Sequence, residues 1–244
     1  MSTRSVTVNA KPQAMTLDLE RTAVLVVDMQ NDFVSKGGMM DRGGIDISAV
    51  QRAVDPISSI LSVARSAGMK IIYLKMGYRP DLSDLGLDDS VNRQRHSLFG
   101  VGQECTAPDG SKGGFLVQGT WNTDIIPELA PEPGDIVVCK TRYSGFYRTD
   151  LDEILKKLNV RNLIVTGCTT SICVESTIRD AMFRDYRCAL VSDCAAEPIG
   201  QDFARSNHEA TLLVVETLLG WVVDSKEICS ALEPHAVSVA NTHE

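Results

Sequence analysis

Gly167-Cys168-Thr169-Thr170-Ser171-Ile172-Cys173-Val174-Glu175-Ser176-Thr177 lies between two unlike patterns. Before it runs the apolar stretch 162–166 (NLIVT), and after it residues 174–186 repeat with helical spacing. The order predicts a strand, a tight turn and a cysteine at a helix start. Helix N-termini carry backbone N–H groups without intrahelical partners and a partial positive charge. A cysteine placed there has a lowered pKa and more of the reactive thiolate, and the same N–H groups can hold the oxyanion formed when a carbonyl is attacked. Cys173 therefore reads as a nucleophile beside its own oxyanion hole. The alternative is a buried, inert core cysteine.

Other apolar runs repeat this layout. Residues 22–28 (TAVLVVD) are nearly all apolar and end in a carboxylate, the pattern of a strand buried on both faces of a parallel sheet. Residues 69–75 (MKIIYLK), 135–140 (DIVVCK) and 187–193 predict further strands, and residues 50–67, 150–158 and 200–218 predict helices. Alternating strands and helices give an α/β fold, with one mostly parallel sheet covered on both faces, a three-layer αβα sandwich. Residues 1–20 are polar and unpatterned and predict a loose N-terminal arm. Residues 21–232 predict a single domain and 233–244 a C-terminal tail. The polar stretch 77–120, rich in Gly, Pro and Asp, predicts a functional loop or lid.

A net charge of −8 without a basic cluster argues against a nucleic-acid surface. No apolar run approaches membrane-spanning length, and the first residues lack the apolar core of a signal peptide. Seven scattered cysteines suit reduced thiols, so the expected location is cytoplasmic.

Ligands of open α/β sheets bind beyond the carboxyl ends of the strands. Asp28, Lys140 and Cys173 fall at three such ends. Taken singly, Asp28 reads as well as a helix cap and Lys140 as a solvated strand end. Together they supply an acid/base, a cation and a thiol to one crevice.

The motifs VVDMQNDF (26–33), the strand-end Lys140 and GCTTSICVEST (167–177) resemble the isochorismatase-like cysteine hydrolases, over about residues 18–225. The resemblance implies a Rossmann-like sheet of roughly six strands. It assigns Asp28 as general base and acid, Lys140 as the cation that stabilises the thiolate, and Cys173 as the nucleophile of a covalent, thioester-type intermediate. It also implies a non-proline cis peptide between Cys168 and Thr169, which aims the N–H of Thr169, with that of Cys173, at the oxyanion. Isochorismatases proper lack the cysteine, so C–N cleavage is expected rather than vinyl-ether hydrolysis. Nicotinamidases of the superfamily add an Asp and two His that bind a metal. This chain has only His96, His208, His235 and His243, and no D-x-H between residues 45 and 75, so neither metal nor other cofactor is expected. Family members form dimers or tetramers, so a homo-oligomer is expected.

Residues 134–146, 119–121 (GTW) and 173–180 (CVESTIRD) look like those of ureidoacrylate amidohydrolases, whereas 79–85 (RPDLSDL) is similar to a biuret hydrolase loop. The implied substrate is a small ureido or amide compound: ureidoacrylate first, biuret or triuret as the alternative. A non-catalytic member that binds a metabolite or a partner is the alternative from another class. Phe33, Trp121 and Tyr143 are candidates to wall a flat substrate, or else packing residues. Arg79 or Arg142 could clamp a substrate carboxylate, or else form surface salt bridges. Gln30 and Asn31 could bond a ureido group, while Asn31 could equally shape a turn. His96 reads as a solvated loop histidine.

Overall fold

The apolar runs pair side by side. The computed structural model describes residues 4–235, and within them ten strands form: β1 (Ser5–Val8), β2 (Met15–Asp18), β3 (Thr22–Val27), β4 (Lys70–Met76), β5 (Glu104–Thr106), β6 (Lys112–Gly114), β7 (Ile136–Lys140), β8 (Asn162–Cys168), β9 (Arg187–Ala196) and β10 (Trp221–Val223). Six make one parallel sheet in the order β10-β9-β8-β3-β4-β7. Every residue of β3 and β8 is buried, as expected of central strands with helices over both faces.

The crossover from β3 to β4 runs one way along the sheet, and that from β8 to β9 runs the other way. Right-handed connections in opposite directions place their helices on opposite faces, which gives the three layers. Helix Val54–Ser66 buries Ile57, Ile60, Leu61 and Ala64, the i, i+3, i+4, i+7 stripe that a sheet-facing helix needs. The chain reverses its direction of winding between β3 and β8, so a crevice opens at their carboxyl ends.

Sequence and structure part at several places. Instead of the loose arm expected over 1–20, residues 4–18 contain an antiparallel hairpin, with Ser5 opposite Asp18 and Val8 opposite Met15. It buries Val6, Val8, Met15 and Leu17 on one face. Its tip carries a cis Lys11–Pro12 bond, and the Lys11 backbone pairs with Val222 at 2.9 and 3.0 Å. The hairpin thus covers the edge of β10, which would otherwise present unpaired backbone groups. The helical pattern at 50–67 is two helices, Ser48–Arg52 and Val54–Ser66, because Pro56 lacks an N–H and is tolerated only in a first turn. The helix expected from residue 200 begins at Asn207, where Ser206 and Glu209 form a reciprocal capping box. Helix Ser225–Leu232 follows β10, and Glu233–His235 adds one tight turn; the rest of the expected tail, from 236, lies outside the described residues. No helix among the described residues is long and apolar enough to cross a membrane.

The 77–120 stretch is held down more firmly than a free loop. It contains helix Val91–Leu98 and the β5–β6 hairpin. The buried Asp32 carboxylate accepts the N–H of Leu116 at 2.6 Å, that of Met39 at 2.9 Å and the Asn122 side-chain amide at 2.7 Å. Burial pushes Asp32 up to about 6, against the pull of those donors.

Gly167 packs directly against the Val27 backbone of β3. Its φ is +110°, and a Cβ there would lie 2.0 Å from the carbonyl oxygen of Val27. Gly167→Ala is expected to cost about 3 kcal/mol, through the conformation and the clash together. A denaturant midpoint unchanged from that of the parent protein would contradict this.

Candidate active site

β3 ends at Val27, and the chain turns abruptly at Asp28, whose φ of 53° lies in the left-handed region. Lys140 is the last residue of β7. Its Nζ lies 2.7 Å from Asp28 Oδ2, and both side chains are essentially without solvent contact. The ammonium also meets the Arg142 carbonyl at 3.2 Å and Met76 Sδ at 3.6 Å, so its three donors are all engaged. Asp28 Oδ1 is buried with no hydrogen-bond partner among the described residues.

Cys173 stands beside this pair, close enough for its charge to couple to both groups. It sits inside a wide, π-type turn, Thr170–Val174, which leads into helix Glu175–Met182. The peptide bond between Cys168 and Thr169 is cis. The turn is braced from behind: the buried Glu197 accepts the N–H of Ser171 at 3.0 Å, and Thr170 Oγ1 lies 2.9 Å from His208 Nδ1. Neither brace was visible in the sequence, since both partners come from distant segments.

The electrostatics differ from the sequence expectation. Burial pushes the Cys173 thiol up; Lys140 pulls it back only in part, and the Asp28 carboxylate adds to the rise. The net displacement is upward, which favours the protonated thiol at rest. Burial also raises Asp28 despite the neighbouring ammonium. For Lys140 burial works against the charge, but Asp28 and Cys173 outweigh it and the net displacement is upward. The site therefore sets an Asp28 oxygen with a free lone pair beside the Cys173 thiol, with the buried Lys140 ammonium against the other Asp28 oxygen.

Asp28 and Cys173 open onto a cavity of about 370 Å³, within the range of small-molecule sites, and Lys140 lies behind Asp28 outside its lining. Asp28, Thr169, Cys173, Phe33 and Tyr143 line it. The other expected residues lie outside. Gln30 is saturated by backbone, giving Nε2 to Met76 and Thr123 carbonyls at 2.8 and 3.0 Å and accepting the Met76 N–H at 2.6 Å. Asn31 bonds the Trp121 carbonyl at 2.8 Å and the Ser35 hydroxyl at 2.7 Å. Trp121 is absent from the lining, and Arg79 is exposed. Arg142 donates to the carbonyls of Asp84 and Thr141 at 3.2 and 2.6 Å and lies over the Tyr147 ring.

His96 is the reverse case. It is buried, not solvated, and lines the cavity. Its ring stacks on Tyr143 with centroids 5.6 Å apart and meets Tyr78 edge-on. Burial, with the Arg142 and Lys140 charges, lowers its pKa. Nδ1 lies 2.7 Å from the Asn92 carbonyl, so the hydrogen is on Nδ1 and Nε2 is left as an acceptor. The rest of the wall is apolar: Met39, Met40, Ile45, Met76, Leu98, Phe99, Leu116, Ile172 and Ile199. Among the described residues no three His, Cys, Asp or Glu side chains are grouped to hold a metal ion.

The chain is similar along nearly its whole length to proteins of known type. It is 38% identical over 234 residues to the ureidoacrylate amidohydrolase RutB of Cronobacter sakazakii, covering 96% of this chain and 98% of that one. The fold matches a cysteine hydrolase from Pseudomonas syringae pv. phaseolicola with a TM-score of 0.75 and 31% identity, over 96% of this chain and 100% of that one. It also matches an N-carbamoylsarcosine amidase from Thermoplasma acidophilum, with a TM-score of 0.62 and 26% identity, over 84% and 96% of the two chains. Residues 22–227 match the isochorismatase domain, and the chain belongs to that family.

Proposed function

We propose that this protein is a cysteine amidohydrolase that cleaves a C–N bond of a small ureido or carbamoyl compound through a covalent intermediate. The observation that carries the proposal is that Asp28 and Cys173 line one cavity while Lys140 is buried against Asp28. Asp28 Oδ1, the acceptor without a partner, takes the Cys173 proton as Sγ attacks the carbonyl carbon. Lys140 holds the site's charge balance while the thiolate forms. The N–H groups of Thr169 and Cys173 hold the oxyanion. Asp28 passes the proton to the departing nitrogen, the C–N bond breaks, and the acyl or carbamoyl group stays on sulfur. Asp28 then takes a proton from water as it attacks that carbon, and the proton returns to Sγ as the acid or carbamate leaves.

The Cronobacter relatives are ureidoacrylate amidohydrolases, and their similarity puts ureidoacrylate first among substrates. Biuret or triuret stands second, on the 79–85 loop. The geometry supports the reaction class more strongly than either molecule, since neither Arg79 nor Arg142 lines the cavity.

Ammonia release from ureidoacrylate, biuret, triuret, N-carbamoyl amino acids and nicotinamide, with Cys173→Ser as the blank, tests the proposal. Release from a ureido compound, lost in the variant, is expected. Release that survives Cys173→Ser would overturn it, and silence across the panel would favour a non-catalytic binder.

A further inference from the structure

Resting on the amidohydrolase proposal for this site, we infer that His96 binds the substrate as a neutral acceptor: its Nε2 takes an N–H from the nitrogen that stays on the reacting carbon, and so selects ureido and other carbamoyl compounds over simple amides. Three contacts fix the ring. Nδ1 lies 2.7 Å from the Asn92 carbonyl one turn back on the same helix, Tyr143 stacks on one face, and Tyr78 meets it edge-on with centroids 5.5 Å apart. Asn92 is itself anchored, giving its side-chain amide to the Leu85 carbonyl at 2.8 Å and the Tyr78 hydroxyl at 3.3 Å. A backbone carbonyl only accepts, so the hydrogen stays on Nδ1 and Nε2 keeps its lone pair. Nε2 has no hydrogen-bond partner among the described residues and is not sealed in the interior, so it opens on the cavity that the ring lines. Burial, with the Arg142 and Lys140 charges, disfavours a second proton on the ring. An apolar ring would serve for packing alone. A bare acceptor on this largely apolar wall is unfavourable unless a ligand donates to it.

The reacting carbon carries three groups, and the proposed mechanism assigns two of them. Its oxygen faces the N–H groups of Thr169 and Cys173, and the departing nitrogen faces Asp28 Oδ1. The third group points away from both. In a ureido compound attacked at its carbamoyl carbon that group is –NH2, and in a simple amide it is carbon. Apart from Asp28 and the turn from Cys168 to Cys173, only His96 and Tyr143 bring a side-chain nitrogen or oxygen to the cavity lining. The Tyr143 hydroxyl has a hydrogen to donate, whereas Nε2 of His96 offers only a lone pair. A retained –NH2 therefore finds its acceptor at His96. A methyl or ring carbon in its place leaves Nε2 unpaired, and a site built around a hydrogen bond rejects the analogue that cannot make it. The preference holds whatever arm the departing nitrogen carries, the carboxylate of ureidoacrylate included.

The test is a matched pair of probes, 3-ureidopropionate and N-acetyl-β-alanine, which share the carboxylate and the departing nitrogen and differ only in –NH2 against –CH3 on the reacting carbon. Each is titrated calorimetrically into full-length Cys173→Ala protein, so that affinity is read without turnover. The carbamoyl compound is expected to bind at least about tenfold more tightly. His96→Phe on the same background keeps an aromatic ring against Tyr143 and removes the acceptor, and the ratio should fall below about threefold. A smaller ratio in the His96 protein, no binding of the carbamoyl compound at millimolar concentration, or a ratio that His96→Phe leaves in place would overturn the inference. Nitrogen NMR of the His96 ring needs no second substitution: the Nε2 signal should mark an unprotonated nitrogen and move with 3-ureidopropionate but not with N-acetyl-β-alanine. A signal indifferent to both, or already protonated, would also overturn it. Turnover is measured separately on native protein. A ratio that depends on His96 without turnover of any ureido compound would sink the amidohydrolase proposal and leave the acceptor subsite standing, whereas turnover lost in Cys173→Ser with a ratio indifferent to His96 would sink the inference alone.

Discussion

Cys173→Ala is expected to lower turnover by at least about 10⁴-fold while leaving a folded protein. The expected loss is large because in the proposed mechanism the sulfur is the atom that bonds to the substrate. The remaining groups, a carboxylate and an ammonium locked together, have no nucleophile to act through. The cost to the fold is small by comparison. Removing one buried sulfur atom leaves a small void next to an existing cavity, at about 1 kcal/mol. Near-ultraviolet circular dichroism and a denaturant titration check the second half of the expectation, and ammonia release checks the first. Cys168→Ala is the informative control. Cys168 is also buried at the cavity, but its sulfur is committed to the Asp28 carbonyl at 3.2 Å, and its pKa is raised well above the ordinary thiol value, chiefly by burial. Its loss is expected to change turnover by less than about tenfold. Equal losses from the two variants would remove the reason for assigning the chemistry to Cys173.

Lys140→Met should damage both fold and activity, and its signature is in the pH dependence. Removing the ammonium strands Asp28 as a buried charge, a change that typically costs about 3–5 kcal/mol. Asp28 is already raised by burial, and Lys140 is what pulls it down, so its pKa rises further in the variant. The signs follow. A carboxylate whose pKa is higher folded than unfolded binds protons better in the fold. Stability therefore falls as pH rises from the ordinary carboxylate value through the raised one. Activity is expected to run the other way, because in the proposed mechanism the ionised carboxylate is the base, and kcat/KM is then lost as pH falls through the same group. The acid limb of the variant is expected to lie at higher pH than that of the parent, with turnover down by about 10³-fold. An acid limb that stays in place would argue against Asp28 as the base. Asp28→Asn combined with Lys140→Met removes both charges, with asparagine chosen because it tolerates the positive φ at 28. The double variant should recover most of the lost stability and none of the activity, as a thermal or denaturant series would show.

The central strands were legible because each is an apolar run bounded by polar residues. Residues 22–27 and 162–166 had little else to be, and both are strands in the sheet. Asp28, Lys140 and Cys173 were legible for the same reason: the run ends were visible, and chain ends of parallel strands gather on one side. The N-terminal hairpin was hidden because its strands are four residues each. An alternation that brief, around a polar turn, does not separate from loop. His96 was misjudged because its helix, VNRQRHSL, is polar on most sides, and the burial of one face depends on Tyr78 and Tyr143 arriving from elsewhere. Arg142 was misplaced for the complementary reason. Sequence puts it two residues from Lys140, but alternation and a local turn aim its guanidinium at Asp84 and Thr141 instead of the cavity. The protonation of Cys173 depends on burial, which no local pattern encodes.

Asp28 and Lys140 are 112 residues apart and belong to strands that are not neighbours, with β4 between them. Their meeting depends on two pairings at once: Val27 opposite Leu74, and Met76 opposite Lys140. A slip of one residue in either pairing would turn one of the two charges to the other face of the sheet. Neither would then have a partner, and a bare charge in this interior is unaffordable. The ion pair is in this sense a proofreading device for assembly: chains that join β3, β4 and β7 in a wrong frame are penalised electrostatically as well as by packing. The contact proposed to serve the chemistry also marks the chain as correctly threaded, so the candidate site and a properly aligned sheet arrive together.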